Sequence, residues 1–333
     1  MSGRELKERI KGTLVGCAYG DAMGMPTENM AREDILKQYP NGVETFYPSS
    51  NTAVDGREFV AGEVTDDTIN TLILLNCIVK NRGRASAVLY INELREWMAE
   101  HPKQNEVIIG RSTRRAMEAL YRGERMETTG IWGTTNGASM KISPIGIISD
   151  YRKMDTLVAN VFEVCYPTHN TQIAIQGASV IAALISYSLQ GGGIEDIWDI
   201  ALQAMKASQD KGMKRGGPKL TKRMEAVKHE VETKSEKEVI ALLSDFYGTG
   251  IETIETIPVV LAILQLSGGD PTRAGKIAAS IGGDTDTIGA ITCAIAGAMH
   301  PEFPEHIITV LETVNHISFD AFVEEILPFV NIR

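Results

Sequence analysis

The chain has 333 residues, 43% apolar and 23% charged, with a formal net charge of −10. That is the make-up of an ordinary globular protein with ample length for a core, in one large domain or two small ones. The acidic balance excludes the basic field of a general nucleic-acid binder, but not a local site for a small anion.

In chain order, KGTLVGCAYGDAMGMP (11–26) comes first. Gly12, Gly16, Gly20 and Gly24 stand four apart, along one face of a helix. Each interior glycine costs roughly 1 kcal/mol relative to alanine, so four on one face predict a close approach to another backbone. VETFYPSS (43–50) is the only stretch that reads as extended. GEVTDDTINTLILL (62–75) opens an apolar helix over 68–81, with Thr65 as a candidate N-cap and Asp66 and Asp67 in its first turn. Helical periodicity continues over 87–101, 109–123, 155–166, 170–192, 194–208, 220–234, 254–269, 270–280 and 304–316. In IGGDTDTIGAITCAIAGAM (281–299) a second thin helix carries Gly289, Cys293 and Gly297 four apart, beside Ala290, Ala294 and Ala298. Two thin helices are expected to bring their ends close together.

The fold class expected is all-α, a compact single-domain multi-helix bundle spanning 1–333. The Lys- and Gly-rich segment 208–238 reads as a solvated loop and surface helix, or as a basic flap over an anionic ligand. The start, MSGRELKERIKG, lacks the apolar stretch of a signal peptide, and no run of about 18 uninterrupted apolar residues marks a membrane span. Cys17, Cys77, Cys165 and Cys293 lie singly in apolar segments without metal-like spacing. They read as core residues of a cytoplasmic protein.

The chemistry rests on two acid pairs of one form, TDDTI and DTDTI, each opening an apolar helix. Asp66 and Asp284 are 218 residues apart (284 − 66). If the two helix starts converge, Asp66, Asp67, Asp284 and Asp286 share one pocket, and their repulsion forbids full ionisation without cations. Two divalent ions neutralise four carboxylates. Oxygen donors suit Mg²⁺ or Mn²⁺, and the lack of His or Cys beside the acids disfavours Zn²⁺.

With these residues in place, the sequence resembles the ADP-ribosylglycohydrolase family. The resemblance runs from GTLVGCAYGDAMGMPTE through TDDT, TNGASMKISPIG, THN and YGTG to IGGDTDTIG. It implies an all-α fold, a dinuclear Mg²⁺ or Mn²⁺ centre, and hydrolysis at C1 of a ribosyl group, most simply the removal of ADP-ribose from a protein side chain. By motif it implies Thr65, Asp66, Asp67, Asp284, Asp286 and Thr287 as metal ligands. Glu28, Asp67 and Asp286 become the catalytic group. Asn136, Gly137, Ser139, His169, Gly248, Thr249 and Gly250 become substrate contacts. Lys141 stands where the family more often has Arg. The alternatives are hydrolysis of a smaller N-riboside on the same fold, and a non-catalytic ADP-ribose-binding module. More distant rivals are a prenyl diphosphate enzyme, suggested by DDTIN, and a DxDxT phosphatase, which needs a β-strand before the motif. No nucleic-acid or membrane partner is expected.

Overall fold

The glycine stripe lies in α1 (Gly3–Gly24), whose start is capped by the Ser2 hydroxyl accepting from the Glu5 amide. The structure, a computed structural model, describes residues 2–49, 58–102 and 109–331. After α1 come α2 (Arg32–Gln38), α3 (Asp66–Lys80), α4 (Ala87–Glu100), α5 (Arg111–Tyr121), α6 (Met126–Thr129) and α7 (Ser143–Ile148). Then follow α8 (Met154–Cys165), α9 (Gln172–Leu189), α10 (Ile197–Ala207), α11 (Leu220–Thr233) and α12 (Glu236–Leu242). The chain closes with α13 (Thr253–Leu266), α14 (Pro271–Ala279), α15 (Thr285–Met299), α16 (Glu305–Asn315) and α17 (Phe319–Ile326).

The expected helices are present, and the short ones, such as α2, α7 and α12, are additions too brief for periodicity to reveal. Among the described residues the only β pairing is two isolated bridges, Thr135–Glu252 and Thr171–Met213. Residues 43–49 form no ladder, so the expectation of an extended strand there fails; Ser50 lies outside the described residues.

The centre of the bundle is α1 against α15. A Cβ on Gly12, Gly16, Gly20 or Gly24 would stand 2.0–2.2 Å from the carbonyl oxygens of Gly297, Cys293, Gly289 and Thr285 respectively. No side chain fits at such distances, and this is what the stripe provides. Partner numbers fall as α1 numbers rise, so the helices are antiparallel. The C-terminal end of α1 therefore meets the N-terminal end of α15. Helices α9, α13 and α14 pack around this pair.

Helix α9 is long and apolar enough to cross a bilayer by length and composition alone, although it is not an uninterrupted apolar run. Its polar interruptions, Gln176 among them, leave the mean hydropathy high. Within the bundle 83% of it is buried. All four cysteines are buried and free. In the basic segment, residues 208–219 are irregular and lead into α11.

Candidate active site

Three helix ends meet where α1 stops. Helix α1 ends before Pro26, whose ring cannot continue the hydrogen-bond ladder. Before α15 the chain turns at Gly282 and Gly283, with φ of +88° and +77°, a backbone region that favours glycine. The turn is pinned on both sides. Asn29 N–H donates to the Gly283 carbonyl (2.8 Å), and Asp284 N–H donates to the Thr249 carbonyl (2.7 Å). Thr285 Oγ1 donates to the Gly24 carbonyl, 2.8 Å.

The third end is the start of α3. Thr65 occupies the N-cap position, but its side chain does not cap the helix. That role falls to Asp21, reaching across from α1. Its fully buried carboxylate accepts from the Thr65 and Thr68 amides at 3.0 Å each. It also accepts from both hydroxyls, Thr65 Oγ1 at 2.9 Å and Thr68 Oγ1 at 2.6 Å. A carboxylate at a helix N-terminus is favoured by the orphan amides and the helix dipole.

Carboxylate oxygens of Asp21, Asp67 and Asp286 lie within 4.8 Å of one another, and so do those of Glu28, Asp284 and Asp286. Asp286 is common to both groups, which makes one continuous acidic floor. Thr65 and Thr287 hydroxyls both approach Asp67 Oδ2, at 3.2 and 3.3 Å. Asp284 Oδ2 accepts from the Asn136 amide. Among the described residues no Lys or Arg forms an ion pair with Asp21, Asp67, Asp284 or Asp286.

This crowding opposes ionisation. Burial and then the Asp286 charge push Asp21 up to about 7, against its Thr68 and Thr65 hydrogen bonds. Burial and then Asp286 and Asp21 hold Asp67 well above the usual carboxylate range. Burial and Asp286 raise Asp284, opposed by the Asn136 hydrogen bond. Among the described residues the buried Asp67 Oδ1 has no hydrogen-bond partner. An orphaned anionic oxygen is costly, and an all-oxygen donor set is the chemistry a hard divalent cation accepts. The residues fit such an ion.

The floor closes one end of a cavity of about 260 Å³. Glu28, Asp66, Asp284, Asp286 and Thr287 line it, and so do Arg111, Ser112 and Thr113. The latter three begin α5, whose N-cap is Gly110, and the first amides of a helix find no partner within the helix itself. Asn136, Gly137 and His169 complete the wall. Gly137 is small for a reason: a Cβ there would stand 2.9 Å from the His169 ring. Burial and then Lys141 hold the imidazole well below its ordinary pKa, so it is neutral near pH 7.

The predicted residues thus divide. Glu28, Asp66, Asp284, Asp286, Thr287, Asn136, Gly137 and His169 line the cavity; Asp67 belongs to the acidic floor without lining the cavity, and the Thr65 hydroxyl meets it there. Ser139, expected as a substrate contact, does not line it; it is fully buried against α9 at Gly177. Gly248, Thr249 and Gly250 also stand off the cavity. They buttress Asp284 through the Thr249 carbonyl, while Ile251 reaches the wall. Asp21, Arg111 and Ser112 were missed. Asp21 had a signal, as the one charge between Lys11 and Glu28.

The basic segment is elsewhere. Among the described residues none of 208–238 lines the acid cavity. Lys214, Arg215 and Lys219 border a neighbouring cleft, with Thr134 and Glu252 on its near side. Arg215 is spent on the Ile131 carbonyl and on the Trp132 face, 3.7 Å from the ring centroid.

Comparison with known proteins agrees with this geometry. A family model described as ADP-ribosylglycohydrolase matches residues 2–328. The chain is 31% identical over 318 residues to an uncharacterized protein, YegU, of Escherichia coli (strain K12), covering 95% of each. It is 27% identical over 207 residues to the ADP-ribosylarginine hydrolase Tri1 of Pseudomonas putida (strain GB-1), covering 60% of this chain and 52% of that one. A solved structure titled "ADP-ribosylglycohydrolase-related protein complex" superposes with a TM-score of 0.71 at 20% identity, over 97% of this chain and 98% of the other, which shows the shared fold.

Proposed function

Because the chain belongs to the ADP-ribosylglycohydrolase family of glycosidic-bond hydrolases, we propose that it is a divalent-metal-dependent enzyme that releases ADP-ribose from an ADP-ribosylated side chain or a related ADP-ribosyl compound. The observation that carries this reading is the polarity of one cavity. Buried acids that call for cations and the start of α5, with Arg111 and Ser112, line one cavity of about 260 Å³. A riboside without phosphate has no use for the latter. A ribosyl diphosphate uses both, its ribose on the floor and its phosphates on the α5 amides and Arg111. The hydrolase Tri1, named for ADP-ribosylarginine, supports the substrate class.

Asp67, Asp284 and Asp286, with Thr65, Asp66 and Thr287, are the residues to hold two Mg²⁺ or Mn²⁺ ions. The chemistry those ions supply when bound is neutralisation of the carboxylates and Lewis acidity toward the ribose hydroxyls and a water molecule. Glu28, at the cavity edge with its carboxylate near Asp284 and Asp286, moves the proton. It takes one from the water that adds to C1 and returns it to the departing nitrogen or oxygen. The C1–N or C1–O bond breaks, and ADP-ribose and the unmodified side chain leave. Asn136 fixes Asp284 and so the shape of the floor.

The test is incubation with ADP-ribosylated arginine and serine peptides in Mg²⁺ or Mn²⁺, with products identified by mass spectrometry. Release of intact ADP-ribose is expected. Release of free ribose from nucleosides alone would move the substrate to a small N-riboside. Tight ADP-ribose binding without turnover of any substrate would make the protein a binding module. Metal binding is read independently by Mn²⁺ titration.

A further inference from the structure

Lys141 is fully buried, and among the described residues no carboxylate pairs with it. Its ammonium lies 4.3 Å from the centroid of the Tyr90 ring. The Tyr90 hydroxyl is committed to Asn70 Oδ1 at 2.9 Å, so Tyr90 offers the lysine only its face. Lys141 Nζ donates to Thr168 Oγ1 over 3.4 Å. From there a file of hydrogen bonds runs toward the cavity. Thr168 Oγ1 meets His169 Nδ1 at 2.8 Å, His169 Nε2 meets Thr135 Oγ1 at 3.0 Å, and Thr135 Oγ1 meets Ser112 Oγ at 3.0 Å. Ser112, Thr135 and His169 line the cavity, while Lys141 and Thr168 stand behind it.

Valence sets the direction of this file. An ammonium has three donors and no acceptor. Thr168 Oγ1 therefore accepts from it and keeps its one hydroxyl hydrogen to donate to Nδ1, the polarity that agrees with Thr135 Oγ1 donating to Ser112 Oγ and so accepting from Nε2. A neutral imidazole that accepts at Nδ1 carries its hydrogen on Nε2 and donates to Thr135. The Thr135 hydrogen passes to Ser112, and the Ser112 hydrogen is left for whatever enters the cavity. Gly137 beneath the ring keeps the imidazole in place.

We infer that Lys141 is a positioning residue: it holds His169 in the neutral Nε2–H tautomer and turns the Ser112 hydroxyl into a hydrogen-bond donor for a phosphate oxygen. The final step rests on the ADP-ribosyl reading; the tautomer does not. A neutral residue at 141 leaves Thr168 free to point either way and the file without a direction.

Long-range ¹H–¹⁵N spectra of ¹⁵N-histidine-labelled protein read the tautomer, with His169→Gln assigning the signal. The wild type is expected to show Nε2 protonated and Nδ1 bare. Lys141→Met is expected to show mixed tautomers, and Lys141→Arg to restore the wild-type pattern. ADP-ribose affinity is expected to fall about tenfold in Lys141→Met and in Ser112→Ala. The double variant is expected to fall no further, because the two substitutions break one file. An Nδ1–H tautomer in the wild type, an unchanged pattern in Lys141→Met, or additive losses would overturn the proposal. A wild type with the expected tautomer but no affinity for ADP-ribose would remove the phosphate step and, with it, the substrate class.

Discussion

The two ends of the cavity solve opposite electrostatic problems. Among the described residues the floor gathers buried carboxylates with no protein cation, and the wall buries a cation, Lys141, with no protein anion. On the floor the missing counter-charge must come from outside the chain, and the orphaned Asp67 Oδ1 marks where it is lacking. On the wall the charge is converted into direction along a file of neutral groups. The supports differ too. The floor hangs on helix ends fixed by backbone-on-backbone packing, whereas the wall hangs on side-chain hydrogen bonds from loops and a helix start. Changes to the floor should therefore be severe, and changes to the wall graded.

The largest effect expected is on the floor itself. Asp67→Asn or Asp286→Asn should lower glycosidic hydrolysis by at least about 100-fold and weaken Mn²⁺ binding measured by titration. On the wall, Ser112→Ala should cost only the tenfold of one donor, about 1.4 kcal/mol. If both ends cost the same, the contrast is broken.

Next is the support. A Cβ at Gly20 would stand 2.0 Å from the Gly289 carbonyl oxygen, a backbone atom that cannot turn aside. Gly20→Ala should destabilise by about 3 kcal/mol in urea unfolding, at the upper end for overpacking. At Gly110, on the wall, a Cβ meets nothing within 4 Å among the described residues. Gly110→Ala should cost no more than about 1 kcal/mol, as a weaker N-cap.

Asp21→Asn comes third. Asp21 organises the turn of α3 proposed to hold the metals, through four donor groups. Loss of a residue that orients ligands typically costs 10–100-fold in metal affinity. A Mn²⁺ affinity unchanged in this variant would mean that α3 holds its start without help.

How these parts were legible follows from what each needs. The glycine stripes could be read because helix period and the cost of glycine have one common explanation, a close partner. The paired acid–Thr motifs could be read because burying like charges demands a cation. Ser139 could not be placed, because a motif names a residue without saying which side of the wall it faces. The YGTG loop acts through a carbonyl, which no side-chain pattern records. The start of α5 gave only helical periodicity; that Arg111 and Ser112 share a cavity with the acids is a fact of packing. The Lys141 file joins residues 112, 135, 141, 168 and 169, whose spacing follows no period.

The smallest effect tests the contrast most directly, because the two ends should titrate in opposite senses. Asp21 has a folded pKa of about 7, above its ordinary value. The stability this adds is whole below about pH 4 and is lost as pH rises through about 7. Metal-free protein should therefore weaken between pH 5 and 8, and Mg²⁺ should oppose the decline by binding only the folded floor. Lys141 is the reverse case: burial pushes its ammonium down to about 8. Below pH 8 both folded and unfolded states hold the proton, and the full cost of the buried charge is felt. Above pH 8 the folded state releases its proton first, so stability recovers toward pH 10.5. Lys141→Met removes this charge at similar volume. It should raise stability at pH 7 by about 1–2 kcal/mol, part of the gain being offset by the lost contacts to Tyr90 and Thr168. The advantage over wild type should shrink as pH passes from 8 to 10. A merely structural lysine would make this variant less stable as well as weaker in binding. A protein that becomes more stable while its grip on ADP-ribose loosens retains the buried charge for direction, and thermal unfolding across that pH range separates the two cases.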